Sequence, residues 1–593
     1  MRNEDLRYRV NRRRFLRDST LVSLGLVAAA CAPGTTTPGA SGGTTGGATK
    51  KGGEFHGAWP YDLPPKGHYN QFATGAILSG SIYTDVFFPS LAVYKWADAK
   101  WEYWLAESSQ QNGENFEVKL RPGIKWSDGT AFTSKDVATT YNVGRLQGFG
   151  VWTYTDKIET PDDLTVRFHI NRPSNLVERL VLRNGIRPDS VYGALGKKAA
   201  DLFAAGKKAT DDEGKAIVKE VNDLRPTNFP SSGPYKIDLS SVTEAQMTLV
   251  RNTEGLFADK VNFDKLVIYQ GETAQVTPLV LSGDVDYATH GFPLATDKAF
   301  TAQGLRVIRG PLYTGPGIFF NWAKTPEFQD KRLRQAVAYA INKDESATIT
   351  YGESAKAQKT MSGMSDNVVP LWISADDQKK LKSYDFDVSK ADALMKEAGF
   401  AKGSDGIYAK GGKKLEYELY FPSDFADWTS AANHASESLN KFGIKITPRG
   451  AQRSQQLPDV NSGNFQIAIM GWGIGNPHPQ QSYVQDLRTH NTLATGGGMG
   501  YPLKQGDVDF DDLMNKMGDG FDAAKQKDPV TKAALAFNDL LPVIPLWERY
   551  GNNPVNDKKR VAGWKPDSDP LYKNGGGDSF TIVMIMDGTL HTI

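Results

Sequence analysis

The sequence predicts an α/β protein built from several units, and three observations lead there. Segments that alternate apolar and polar residues, as half-buried strands do, interleave with segments whose apolar residues recur every three to four positions, as on one helix face. Residues 415–472 read strand, helix, strand, helix, strand, a doubly wound pattern. The chain has 593 residues, which at about 150 residues per domain makes about three to four units.

Phe116-Glu-Val-Lys-Leu120 alternates and predicts a strand. Arg121-Pro122-Gly123 turns the chain, Ile124-Lys-Trp126 resumes briefly, and Ser127-Asp128-Gly129-Thr130 turns it again. Thr133-Ser-Lys-Asp136 opens a helix as a variant capping box. Leu333, Val337, Ala340 and Ile341 share one face of a helix over residues 331–342. Residues 389–398 predict another, capped by Ser389 and stopped by Gly399. Leu415–Tyr420 is a strand, residues 431–442 a helix closed by Gly443, and Ile444–Ile446 a strand. Phe465–Met470 is a buried strand running into Gly471-Trp472-Gly473.

Composition narrows the class. A hydrophobic content of 39% and an aromatic content of 11% describe a globular chain, not a disordered or fibrous one. Sixty-nine Lys and Arg against 68 Asp and Glu leave +1, with no electrostatic footprint for nucleic acid. One cysteine excludes an intramolecular disulfide and a Cys-based zinc cluster. The eight histidines contain no i,i+4 pair, so no metal site and no cofactor are expected.

The first 30 residues read as a secretory signal. Seven arginines lie between residues 2 and 17, followed by the short apolar stretch Leu21–Val27 and then Ala28-Ala29-Ala30-Cys31. That stretch is too short to span a bilayer, which takes about 20 residues. Without residues 1–30, 62 basic side chains face 65 acidic ones, a net −3. Asn11-Arg-Arg-Arg-Phe-Leu-Arg17 resembles a twin-arginine export signal, and Cys31 sits where a bacterial lipoprotein is lipidated, with Ala28 in place of the usual Leu. Residues 32–47 are Gly, Thr, Pro, Ala and Ser alone, so 31–52 is read as the lipidated cysteine and a flexible tether.

The segment Leu120-Arg-Pro-Gly-Ile-Lys-Trp-Ser-Asp-Gly-Thr130 resembles the signature of family 5 extracytoplasmic solute-binding proteins, the oligopeptide- and dipeptide-binding type that feeds ABC importers. Four more segments follow in the family's order: Ser232-Gly-Pro-Tyr235; Arg251-Asn252 with Phe263-Asp-Lys-Leu266; Phe320-Asn321 through Asp330-Lys-Arg-Leu-Arg-Gln-Ala336; and Ile544-Pro-Leu546. The resemblance covers residues 53–593 and implies a two-lobed, periplasmic-binding-protein-like fold of class II type, with hinge crossovers and a subdomain inserted in lobe I. Lobe I would be 53–312 and 550–593 with the insertion at 97–228, and lobe II 313–549. Arg121, Asp128 and Arg334 in the shared segments are read as structural.

The resemblance implies a monomeric binder, not an enzyme, that closes on a solute between its lobes and delivers it to ABC permease subunits outside the cytoplasm. Lipidated Cys31 would hold it at the bilayer. In peptide-binding members, an Asp in Trp-Gly-x-Asp-Tyr-Pro-Asp-Pro pairs with the peptide's amino group. Here the stretch is Trp472-Gly-Ile-Gly475-Asn-Pro-His478-Pro479, so Gly475 replaces that Asp and His478 the second one. A buried ammonium without a carboxylate costs several kcal/mol. The substitution tilts the expectation towards an oligosaccharide over an oligopeptide, with Asp424 or Asp427 as candidate replacement acids. Sugar rings suit flat aromatic faces and neutral hydrogen-bonding groups. The expected ligand contacts are therefore Trp472, Gly473, Gly475, Asn476, His478, Asn321, Trp322 and Trp428. The rival class is a secreted hydrolase. The G-x-S-x-G match at residues 39–43 lies in the tether, which offers neither the strand nor the helix that a nucleophile elbow requires.

Overall fold

Glu54–Trp59 starts the folded body as a strand whose Phe55 and Gly57 are buried while Glu54 and His56 are half-exposed. A computed structural model describes residues 51–60, 68–73, 76–78, 80–491 and 498–593. The signal, Cys31 and the tether up to residue 50 lie outside these. Gly57 is required by close approach, because a Cβ there would lie 2.0 Å from the Tyr83 hydroxyl.

Two sheets organise the chain. Glu54–Trp59 lies inside a seven-stranded sheet, parallel to Lys265–Gln270 on one side and to Tyr287–Ala288 on the other. Asn553–Val555 returns to this sheet between Tyr287–Ala288 and Arg306–Ile308. The second sheet has five strands in the order Lys445–Ala451, Glu416–Pro422, Ile467–Trp472, Gly315–Phe320, Val543–Pro545. Its first three strands are parallel, as the doubly wound reading of 415–472 requires, and the last two make it a mixed sheet. The chain thus passes from the first sheet to the second between Ile308 and Gly315, and returns between Pro545 and Asn553. A third sheet of four strands, containing the expected Asn115–Leu120, packs within residues 106–170.

Local signals are largely realised. Thr133 and Asp136 form a reciprocal capping box at helix Ser134–Leu146. Helices Lys331–Ala340 and Ala426–Phe442 are present, and Gly443 ends the second with φ 114°. Two expectations shift. Helix Val388–Glu397 is capped by Asp387, not Ser389, because the Asp387 carboxylate accepts the Lys390 N–H two positions earlier. Residues 124–126 form only a single bridge, Lys125 to Ala131, since the Asp128-Gly129 turn closes too soon for a ladder. The shared-motif arginines serve the backbone. Buried Arg334 donates to the carbonyls of Leu540, Leu541 and Phe328, and Arg121 donates to that of Trp104. No helix among the described residues is long and apolar enough to cross a membrane.

Candidate functional site

Strands of the two sheets end towards one cavity of about 480 Å³. Trp59 closes strand Glu54–Trp59, Glu272 follows strand Lys265–Gln270, and His290 and Gly291 follow Tyr287–Ala288. Across from them, Phe425, Ala426 and Asp427 follow strand Glu416–Pro422 at the start of its helix. Arg549, on the return crossing, completes that side. Ligands of open α/β sheets collect at such carboxyl ends of strands.

The cavity's charges are largely matched within the protein. Arg183 makes a bidentate pair with Asp85, at 3.0 and 2.6 Å, and both line the cavity. Its Nε donates to Asp578 at 2.9 Å, and Arg179 reaches the other Asp578 oxygen at 2.8 Å. Burial pushes the Asp578 carboxyl up, but Arg179 and Arg183 outweigh it and hold the group below its usual range. At Asp85 burial prevails over Arg183 and the group is raised. Trp96 Nε1 also donates to Asp578, and the Trp96 ring stacks 4.1 Å from Tyr313, on the crossing between sheets. The cavity wall is thus tied to the crossover.

On the opposite wall Asp427 faces Arg549, with 3.6 Å between Oδ2 and Nε. Burial raises Asp427, and Arg549 opposes the shift. His290 is buried and pushed down to about 4, so it is neutral at physiological pH. The Tyr351 hydroxyl ties these groups together, lying 3.1 Å from the His290 carbonyl and 3.2 Å from Arg549 Nη2.

The eight expected contacts lie elsewhere: none lines this cavity. Trp472 is fully buried, and its Nε1 donates to the Trp547 carbonyl at 3.2 Å. Its strand is an inner one packed on both faces, so a large ring there fills core instead of facing solute. Trp322 packs edge-on against Tyr501 in the same core. Asn321 caps the following turn and donates to the Gly463 carbonyl. His478 packs on Trp372 and meets Gln526. Asn476 accepts the His478 N–H. Gly473 has φ 63° and donates to buried Asp486. Gly475 offers its carbonyl to Arg179 at 3.5 Å. Trp428, half-buried, adjoins Asp427 but packs on Phe425. Of the two candidate acids, Asp427 lines the cavity, whereas Asp424 accepts the Arg453 N–H. Arg183, Asp85 and Arg549 carry no local motif in the sequence, although an arginine directly after Leu180-Val-Leu182 is a readable signal.

A second contact joins the segment after the four-stranded sheet to the helices on the five-stranded one. Arg172 pairs with Asp519, Gly520 N donates to the Pro173 carbonyl at 2.7 Å, and Asn175 N donates to that of Gly520 at 3.0 Å. Gln480 reaches the Tyr154 hydroxyl at 3.1 Å.

The family profile described as bacterial extracellular solute-binding proteins, family 5 Middle, matches residues 100–492. The chain is a family 5 solute-binding protein. As such it is an extracytoplasmic component of an ABC importer, a binder and not an enzyme. This binding protein is similar to the dipeptide-binding protein of Escherichia coli K12, 23% identical over 505 residues that span 80% of this chain and 84% of that one. Its fold matches a mannohexaose-bound periplasmic oligopeptide-binding protein of Thermotoga maritima, with TM-score 0.72, 20% identity and coverage of 91% and 98%. It also matches the oligopeptide-binding protein AppA of Bacillus subtilis in complex with a nonapeptide, with TM-score 0.69, 18% identity and coverage of 92% and 100%. Among the described residues no group of His, Cys, Asp and Glu is placed to hold a metal ion.

Proposed function

We propose that this binding protein captures an oligosaccharide in the cavity between its two sheets and delivers it to an ABC permease. The sheets would belong to two lobes, 53–312 with 550–593 and 313–549, with an insertion at 97–228 and a hinge at the crossings. Cys31 would anchor the chain in the bilayer after twin-arginine export.

The observation that carries the solute class is the internal pairing of charge. Asp85 is hydrogen-bonded to Arg183, Arg549 offsets the Asp427 charge from 3.6 Å without a hydrogen bond, and His290 is neutral. A zwitterionic peptide would have to compete for charges already engaged, whereas a neutral polyol needs only donors and acceptors. Trp59, Tyr287, Phe425 and Phe580 supply apolar ring surface, and Thr84, Thr289, Asn553 and Asn574 supply neutral polar groups. Gly475 in place of the amine-binding Asp agrees with this.

The second reading is an oligopeptide. It is favoured by the curated relatives' names and by the carboxylates Asp427 and Glu272 on the cavity wall. A melting series with mannohexaose, cellotetraose and a free-amine tetrapeptide separates the two. Ligand at 100 times its Kd adds about 2.7 kcal/mol of stability. The sugars should raise the melting temperature and remain intact by mass spectrometry. A shift with the tetrapeptide alone would reverse the preference, and cleavage of the sugar would contradict a binder.

A further inference from the structure

Two buried acceptors on the cavity wall have no hydrogen-bond partner, and they come from opposite sheets. One is Asp427 Oδ2. Its sister oxygen accepts the Trp428 N–H at 3.0 Å, but Oδ2 has only Arg549 Nε at 3.6 Å, beyond hydrogen-bond reach. The other is His290 Nδ1. His290 Nε2 lies 2.9 Å from the Gly271 carbonyl, which only accepts, so Nε2 carries the proton and Nδ1 presents its lone pair. Both side chains are buried and line the same cavity. Their chains approach closely beside the cavity, because a Cβ built on Gly291, the residue after His290, would lie 3.1 Å from Asp427 Cγ.

Buried polar atoms are ordinarily paired, and each exception asks for a reason. A structural reason fails here. An apolar pair of similar shape would fill this space without the cost of unmade bonds, and Asp427 and His290 stand 137 residues apart in the chain.

We propose that Asp427, His290 and Arg549 form a subsite for the terminal ring of a neutral sugar, taking two neighbouring hydroxyls. One hydroxyl donates to Asp427 Oδ2 and the other to His290 Nδ1, while Arg549 offsets the Asp427 charge from behind. This rests on the oligosaccharide reading above and names the residues that select it. An ammonium also donates to two acceptors, but it would sit beside the Arg549 guanidinium, and like charges at such range repel. A vicinal diol meets both acceptors without that repulsion. Because Asp427 follows a strand of one sheet and His290 a strand of the other, the subsite is complete only when the two approach. Recognition of the terminal ring is thereby coupled to closure.

The test is calorimetric titration of the full chain with mannohexaose, cellotetraose and a free-amine tetrapeptide, repeated on Asp427→Asn and His290→Phe. Asp427→Asn keeps the shape of its side chain and loses one acceptor, whereas His290→Phe loses the Nδ1 acceptor together with the Nε2 donor to the Gly271 carbonyl, so its folding is checked by melting. The expected result is sugar binding in the wild type, weakened fivefold or more in each variant, with melting temperatures showing both folded. If one variant fails to fold, the other decides. Sugar binding that changes less than fivefold in a folded variant overturns the subsite and leaves the oligosaccharide reading intact. A wild-type chain that takes up neither sugar overturns the reading and the subsite together.

Discussion

Replacing Asp578 by Asn removes the charge that two buried arginines share. The Asp578 side chain is 1% exposed, against 14% and 13% for Arg179 and Arg183. It accepts Arg179 Nη2 at 2.8 Å, Arg183 Nε at 2.9 Å and Trp96 Nε1 at 3.0 Å. Breaking a buried pair by deleting one partner costs about 3–5 kcal/mol, because the other charge is left uncompensated. Two features put this variant at the lower end. Arg183 keeps its bidentate Asp85, and Arg179 keeps the Gly475 carbonyl. The expected loss is therefore about 3 kcal/mol at pH 7, read as a lower urea midpoint at unchanged slope. The pH dependence supplies a sign. Asp578 is depressed in the folded protein, so its contribution is present above the unfolded value of about 3.9 and fades as pH falls through the lower folded value. The gap between wild type and variant should be flat near neutrality and narrow below about pH 4. A loss under about 1 kcal/mol, or a gap that widens on acidification, refutes the reasoning.

Arg172→Ala removes a half-exposed ion pair to Asp519, worth about 0–1 kcal/mol. Urea melts should barely move, while stopped-flow should show solute leaving faster if the contact of residues 172–175 with Asp519 and Gly520 takes part in closing. Equal release rates would remove that contact from the closing motion. Gly473→Ala forces a side chain onto φ 63° with its Cβ 2.9 Å from the Tyr313 carbonyl. It should cost more than the roughly 1 kcal/mol of left-handed strain alone, measured by chemical denaturation, and an unchanged midpoint would contradict the close approach. Cys31→Ser should move the protein from the membrane to the soluble fraction on immunoblots of fractionated cells, and unchanged membrane association would remove the lipid anchor.

Much of the fold was legible because its signals are local. Thr133 and Asp136 stand three residues apart and form the capping box that their spacing announces. Gly443 stops its helix where only a left-handed residue suits. The alternation of strand and helix within 415–472 implies parallel strands, and Glu416–Pro422 pairs in parallel with both of the others. Asp387 displaced Ser389 as a cap because both are adequate acceptors within two positions, a contest that spacing alone does not decide. The site was harder to read. Arg183 meets Asp85 across 98 positions and Asp578 across 395, and neither separation leaves a pattern in the chain. Trp472 shows why: an aromatic residue beside a glycine turn suits a cleft, but here it sits on an inner strand and packs into the core. Asp427 was reachable, since losing the acid at Gly475 raises the question of which other acid approaches, and the start of helix Ala426–Phe442 offers Asp424 just before it and Asp427 in its first turn.

The central claim is that a sugar is held between the two sheets. A crystal structure of the protein grown with mannohexaose tests it most directly. Density should fill the cavity bounded by Trp59, Arg183, His290 and Asp427, with ring hydroxyls on Asp427 and His290. Sugar bound outside this cavity, or a cavity occupied instead by a peptide carried through purification, would contradict it.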